Sequence, residues 1–495
     1  MRILYIDIDS LRPDHLGCHG YQRKTSPHID TLAAEGVRFT NYYATDTPCL
    51  PSRTAFFSGR FGIHTGVVNH GGTRADIRVE GPGRGFHSVS TGYALAENLR
   101  TAGWYTAQIS PFPHRHSAYQ VMEGFHEAFD TGSDGGEGAH VVWPYIERWL
   151  DNNKARDKWF LHVNFWDPHT PYDVPHSHGK PFHDDPPPAW LTPEVIAKHR
   201  SSYGPHDAVC PHSLWDRPSG WPRGAETIGG LADWKKWIDG YDTGIHYADH
   251  HVGKIVAKLK SLGLYEDTAI VVSADHGENH GELNVYGDHQ TADEICNKVP
   301  LIVRWPGLTD DKRGKAFDGL RYNIDLAATL VDLCGGKQPA CWDGASFGGV
   351  LKTGADAGRP FLVISQGAWS CQRSVRWSDY LLIRTYHNGH KDFPSLMLFD
   401  VKNDPHEQRN LVSARPDLVG HSLRILDGWV AEQLTRSGHP DPLFQVIAEG
   451  GPCHASTRGL PRFCEYLRTT GRAHHAVWLE KNDGRPRDGA GSIFE

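Results

Sequence analysis

Two kinds of segment alternate along most of this chain. Runs dominated by apolar residues lie near residues 3–8, 104–109, 159–165, 269–274, 299–304 and 361–365. Short runs of this kind predict buried strands. Between them lie segments that predict helices: Ile29 to Glu35, Leu95 to Ala102, Val142 to Leu150, about Asp233 to Leu262, and Ile324 to Leu333. Alternation of this kind predicts an α/β fold, a large, mainly parallel sheet flanked by helices. From Arg373 the pattern changes. Ser374–Trp377, Tyr380–Thr385 and Leu396–Asp400 predict short antiparallel strands, and a helix follows near Leu418 to Leu434. The expected division is therefore a larger α/β unit over 1–370 and a smaller C-terminal unit over 371–495, the latter with an irregular tail. One long stretch, Asp173 to Gly230, is rich in Pro, Gly, His and Trp. It reads as a wall or lid over a site, or as a surface insertion.

Two of the predicted strands end in acids. Arg2-Ile3-Leu4-Tyr5-Ile6-Asp7-Ile8-Asp9-Ser10 delivers carboxylates at its C-terminal edge, and Ala269 to Ser273 runs into Ala274-Asp275-His276-Gly277. That edge is where open α/β sheets build their sites. The densest chemical signal lies between them. Residues 49–60 read Cys-Leu-Pro-Ser-Arg-Thr-Ala-Phe-Phe-Ser-Gly-Arg. Pro51 suits a first helical turn, which places Cys49 just before a helix N-terminus, where backbone donors favour an anion. Arg53, one turn on, can fork onto two oxygens.

This motif, with the two acid-ended strands in the same order, resembles the formylglycine-dependent sulfatases of the alkaline phosphatase superfamily. The resemblance runs from residue 1 to about 435 and implies an alkaline-phosphatase-like fold with a small C-terminal sheet. It implies that a formylglycine-generating enzyme oxidises Cys49 to formylglycine, and that the hydrated aldehyde cleaves a sulfate monoester of a small molecule or saccharide. Asp9, Asp275 and His276, with an oxygen on residue 49, are the implied ligands of one divalent cation. Hard oxygens with one imidazole suit Ca²⁺ first, with Mg²⁺ or Mn²⁺ as alternatives.

His169, in the turn Pro168-His169-Thr170-Pro171-Tyr172, is similar to the family's substrate-contacting histidine. His289 stands where the family keeps a Lys or His near the leaving group, and is the expected general acid. Arg115 or His116 takes the place of a lysine that the family often carries after its third strand. His64 and His70 flank the Cys49 helix and are further candidates for substrate contact. Two departures stand out. Ser10 occupies a place that many relatives fill with a second Asp, and Asp7 is either a ligand or the buried partner of Arg53. The same Cys motif and Asp-His pair also resemble phosphonate monoester and phosphodiester hydrolases. A protein that keeps the scaffold and binds the ester without cleaving it is the third reading.

Composition narrows the partners. The formal net charge is −8 and no basic stripe appears, which argues against nucleic acid. No apolar stretch reaches the ~18–20 residues of a membrane span. The first strand opens near residue 2, which leaves no room for a signal peptide and gives a cytoplasmic expectation. The 9 cysteines are odd in number and irregularly spaced, so they read as reduced thiols.

Overall fold

The computed structural model describes residues 1–82, 85–132, 134–212, 223–487 and 493–494. Its main sheet has eight strands: β1 (Arg2–Ile8), β2 (Val37–Phe39), β3 (Tyr105–Ile109), β4 (Glu127–Phe129), β5 (Trp159–Phe165), β6 (Thr268–Ser273), β7 (Leu301–Arg304) and β8 (Ala316–Phe317). Their spatial order is β8-β2-β7-β6-β1-β5-β3-β4. All neighbours run parallel except around β7, which is antiparallel to both β6 and β2. Every residue of β1, β5 and β6 is buried, as their mostly apolar character favours. β1 lies between β6 and β5, with Ile6 opposite Val272 and Val163. The acid-ended strands are therefore adjacent, and their C-terminal edges coincide.

Helices flank this sheet: α1 (Pro27–Glu35), α2 (Cys49–Ser58), α3 (Leu95–Thr101), α4 (Ala139–Asn153), α5 (Leu231–Ser261) and α6 (Asn323–Leu333). All ten residues of α2 are buried. It ends at Gly59, whose φ of +66° closes a left-handed cap. A Cβ at that position would stand 2.2 Å from the Trp342 ring, so glycine is required there twice over.

A second sheet carries β9 (Leu362–Gln366), β10 (Cys371–Trp377), β11 (Tyr380–His387) and β12 (Leu396–Asp400), in the order β12-β11-β10-β9. Its fifth strand is Asp46–Thr47, which pairs parallel with β9. The strand expected near 361–365 thus belongs to this sheet and not to the large one. The short 367–370 connection joins it to β10 as an antiparallel neighbour, and a parallel crossover needs far more chain. This pairing matters for the site, because Asp46–Thr47 leads straight into Cys49. Helix α7 (Pro416–Ser437) covers the second sheet through Leu426 and Trp429. The tail, expected to be irregular, forms α8 (Pro442–Ala448), α9 (Leu460–Thr469) and α10 (Ala473–Lys481). Among the described residues no helix is long and apolar enough to cross a membrane.

Candidate active site

Cys49 is the first residue of α2, one place further into the helix than the sequence suggests. Pro51 then sits third, still among the positions whose N–H has no partner within the helix. Ser52 Oγ donates to the Asp275 carbonyl at 2.6 Å, which ties the helix start to the end of β6. The Cys49 thiol is buried, and its pKa is pushed well up, first by burial and then by Asp9 and Asp275.

Asp9 Oδ2 accepts from Arg53 Nη2 at 2.9 Å, and Asp275 Oδ2 lies 3.1 Å from the same nitrogen. Arg53 Nη1 donates to Asp7 Oδ2, so Asp7 is the buried partner of Arg53, one layer below the acids at the edge. His162 Nε2, 3.2 Å away, completes the surroundings of Asp7. Three carboxylates therefore face one guanidinium, and burial among the acids raises the Arg53 pKa well above its ordinary value, against the cost of desolvation. Ser10 Oγ donates to Asp9 Oδ1 at 3.0 Å, and the Ser10 N–H donates to Asp275 Oδ1 at 3.3 Å. Ser10 thus orients the two acids.

His276 Nδ1 donates to the Gly277 carbonyl at 2.8 Å. A carbonyl only accepts, so Nε2 keeps its lone pair. That nitrogen lies 3.1 Å from Cys49 Sγ, 3.5 Å from Asp275 Oδ2 and 3.8 Å from Asp9 Oδ1. One ligand atom from each of Asp9, Cys49, Asp275 and His276 falls within 4.8 Å of the others. Asp275 Oδ2 makes no hydrogen bond although it is buried. An excess of carboxylates, an orphaned oxygen and an imidazole locked with its lone pair inward fit a divalent cation.

A cavity of about 500 Å³ opens over Cys49. Arg115, His116, His70, His169 and His289 all line it, as expected of them. His289 packs 4.0 Å from the His276 ring and 5.4 Å from His169. His169 Nδ1 donates to the Thr170 carbonyl at 2.7 Å. Arg115 lies 4.4 Å over the Trp166 ring. Burial first, then Arg115 beside His116 and His169 and the neighbouring imidazoles beside His70 and His289, disfavour their charged forms: His116 and His169 are lowered to about 3, and His70 and His289 are pushed well down.

The family model for Sulfatase matches residues 2–336, more than half of the chain, including Cys49, Arg53 and the acids and histidine around them. The chain belongs to the sulfatase family. A model for the C-terminal part of N-sulphoglucosamine sulphohydrolase matches residues 277–419. An ulvan-active sulfatase of Formosa agariphila is 27% identical over 432 residues, covering 83% of this chain and 76% of that protein. A solved structure in complex with D-glucosamine-2-N,6-O-disulfate superposes with a TM-score of 0.70 at 18% identity, covering 89% of this chain and 99% of that one. A phosphonate monoester hydrolase of Silicibacter pomeroyi does so with a TM-score of 0.65 at 22% identity, covering 89% and 96%. The sulfatase fold is therefore shared with hydrolases of phosphorus esters, and the fold alone does not choose between the two reactions.

One expected substrate contact of this sulfatase does not reach the cavity. His64 Nδ1 pairs with Asp343 Oδ2 at 2.7 Å, and Nε2 faces the Gln433 carbonyl at 3.3 Å. Both ring nitrogens are committed to holding α7 against the chain after α2, so His64 is structural. Other lining residues carried no sequence signal. His206 comes from the 173–230 stretch, which therefore supplies part of the cavity wall; residues 213–222 lie outside the described residues. Asp288, Trp369, Cys453, His454, Ser456 and Gly459 complete the wall. The last four belong to the tail, beyond the reach of both family matches. Trp369 and His454 stack at 4.5 Å, and His70 lies 3.1 Å from His454, so the tail is fastened to the site.

Proposed function

We propose that this enzyme hydrolyses a sulfate monoester, with residue 49 acting as formylglycine made from Cys49 by a separate maturation enzyme. The observation that carries the reading is the placement of Cys49: at the start of a buried helix, within reach of two carboxylates, one imidazole lone pair and an open cavity. Hydrated formylglycine supplies two hydroxyls on one carbon, one to attack sulfur and one to expel sulfate. A divalent cation, Ca²⁺ first and Mg²⁺ or Mn²⁺ next, would be held by Asp9, Asp275, His276 and an oxygen on residue 49, where it would screen the ester oxygens and acidify the attacking hydroxyl.

The chain's own residues do the rest. Arg53 keeps Asp9 and Asp275 apart at a fixed angle, with Asp7 anchoring its other nitrogen. Backbone N–H groups at the start of α2 face the ester oxygens. Arg115 and His169 grip those oxygens from the far side of the cavity. His289, beside His276, is assigned to the departing oxygen; the bound anionic ester offsets the burial and the neighbouring imidazoles that lower its pKa and lets it carry the proton it delivers.

The test has two arms. Mass spectrometry of the peptide containing residue 49, from a host with the maturation machinery, is expected to show the aldehyde; intact cysteine alone would favour a non-catalytic binder. Kinetics on matched aryl sulfate, phosphonate and phosphodiester substrates are expected to favour sulfate. A kcat/KM several decades higher for the phosphorus esters would reassign the reaction.

A further inference from the structure

Within a cavity suited to anions, one lining group repels them. Asp288 is a carboxylate 6% exposed, and it is held in place from three sides. The His289 N–H donates to Oδ1 at 2.7 Å, and Gln290 Nε2 donates to Oδ2 at 3.1 Å. His206 Nε2 lies 3.1 Å from Oδ2.

His206 Nδ1 faces the Pro211 carbonyl at 3.0 Å, which leaves Nε2 facing the Asp288 carboxylate. His206 is itself held in this pose. Its backbone sits at φ +59°, its carbonyl accepts from the Tyr286 N–H at 2.9 Å, and its ring meets Trp369 at 5.2 Å. Both of its ring nitrogens face the protein. What the pair presents to a ligand is the remaining acceptor capacity of Asp288, since a carboxylate has about four acceptor positions.

We propose that Asp288, oriented by His206, accepts a hydrogen bond from a hydroxyl of the leaving group and so selects saccharide sulfates over aryl sulfates. This rests on the sulfatase reading above. The rest of the wall agrees. Trp369 is the one large apolar side chain among the described residues that line the cavity, beside Thr170, Ser456 and imidazoles. That lining gives a hydroxylated ring both a face to pack on and polar groups to bond. A site built to bond a hydroxyl discriminates sharply against an analogue without one, because its buried acceptor is then left unmatched.

The test compares kcat/KM for a panel of monosaccharide sulfates with that for nitrophenyl sulfate, using the matured enzyme. In Asp288→Asn the ratio of the best sugar sulfate to nitrophenyl sulfate is expected to fall at least tenfold. His206→Leu should lower the ratio similarly, whereas His206→Gln, which can still donate to Asp288, should restore most of it. An unchanged ratio in both Asp288→Asn and His206→Leu, or equal losses for Gln and Leu at 206, overturns the proposal. A wild-type enzyme that cleaves nitrophenyl sulfate and no sugar sulfate overturns it too, and leaves the sulfatase reading standing. Cleavage of no sulfate ester at all removes that reading first.

Discussion

At the scale of single residues, the proposed function gives the site a nucleophile, a cation cradle and two histidines with different duties, and each assignment can be tested. Cys49 makes its contacts at the floor of the cavity, and alanine fills its small volume without a charge to strand. Cys49→Ala is expected to lower turnover by about 10³-fold or more while leaving the fold intact, as read by steady-state kinetics and circular dichroism. Asp9→Asn and Asp275→Asn each remove a charge from the cradle. Either should lower activity by about 10²-fold or more and lower the bound metal measured after dialysis. Near-normal turnover in a metal-stripped sample of either variant would refute the ligand assignment. His289 and His169 are distinguished by leaving group. A nitrophenolate departs unaided, whereas a sugar alkoxide needs a proton. His289→Ala should therefore cost about 10²–10⁴-fold on sugar sulfates and far less on nitrophenyl sulfate. His169→Ala, acting on the sulfate itself, should cost both alike; a swapped pattern exchanges the two roles.

At the scale of elements, the site depends on pieces from both sheets and from the tail. The Asp46–Thr47 strand carries the second sheet's geometry into the start of α2. Helix α8 hangs the tail wall from the same sheet through one bidentate pair: Arg373 Nη1 and Nη2 donate to Asp441 at 2.6 and 2.7 Å. Asp441 also caps α8 by accepting from the Leu443 N–H at 3.0 Å. Arg373 is fully buried, so removing its partner strands a charge. Asp441→Ala is expected to cost about 3–5 kcal/mol in urea unfolding. It should also raise KM for sugar sulfates, because Cys453 to Gly459 follow directly on α8. Stability loss with unchanged KM would show that the tail wall holds its place without this pair.

At the scale of the whole molecule, buried histidines set the response to acid. His19, His251 and His387 are lowered to about 4 and His199 to about 3, all chiefly by burial. Their unfolded value is 6.5. Their share of stability is present above that value and is lost as pH falls, because the unfolded chain binds protons that the folded one refuses. Asp167 and Asp249, raised by burial to about 7, act oppositely: their share is present below 3.8 and is lost as pH rises toward 7. Asp46 and Asp293, raised to about 6, act with those two acids, but His116, His169, His178 and His212 are lowered to about 3–4 as well, so the imidazoles outweigh the carboxylates over this window. The thermal midpoint is therefore expected to drop between pH 7 and pH 5, as scanning calorimetry would show. A midpoint that rises over that interval would mean the imidazoles are accessible to protons in the folded state.

What the sequence determined by itself was local chemistry and local periodicity. Runs dominated by apolar residues marked β1, β5 and β6, because a strand covered on both faces carries few polar side chains, and His162 and Asn164 there bond to Asp7. The acids at their ends, and the Cys-x-Pro-Ser-Arg run between them, were legible because the chemistry needs those residue types at those spacings. Alternation along the strand put Asp7 on the face of Asp9 and one layer deeper, which left two roles open and favoured pairing with Arg53; the fold makes that pair. Tertiary structure decided whatever depends on distant segments meeting. Leu362–Gln366 reads like any buried strand, and only its short turn into β10 placed it in the second sheet. His64 and His70 look equivalent in sequence, yet one is spent on Asp343 while the other faces the cavity. His206, Asp288, Trp369 and Ser456 come from four separate stretches with no shared motif. Only the folded chain brings them to one wall, because packing is blind to sequence distance.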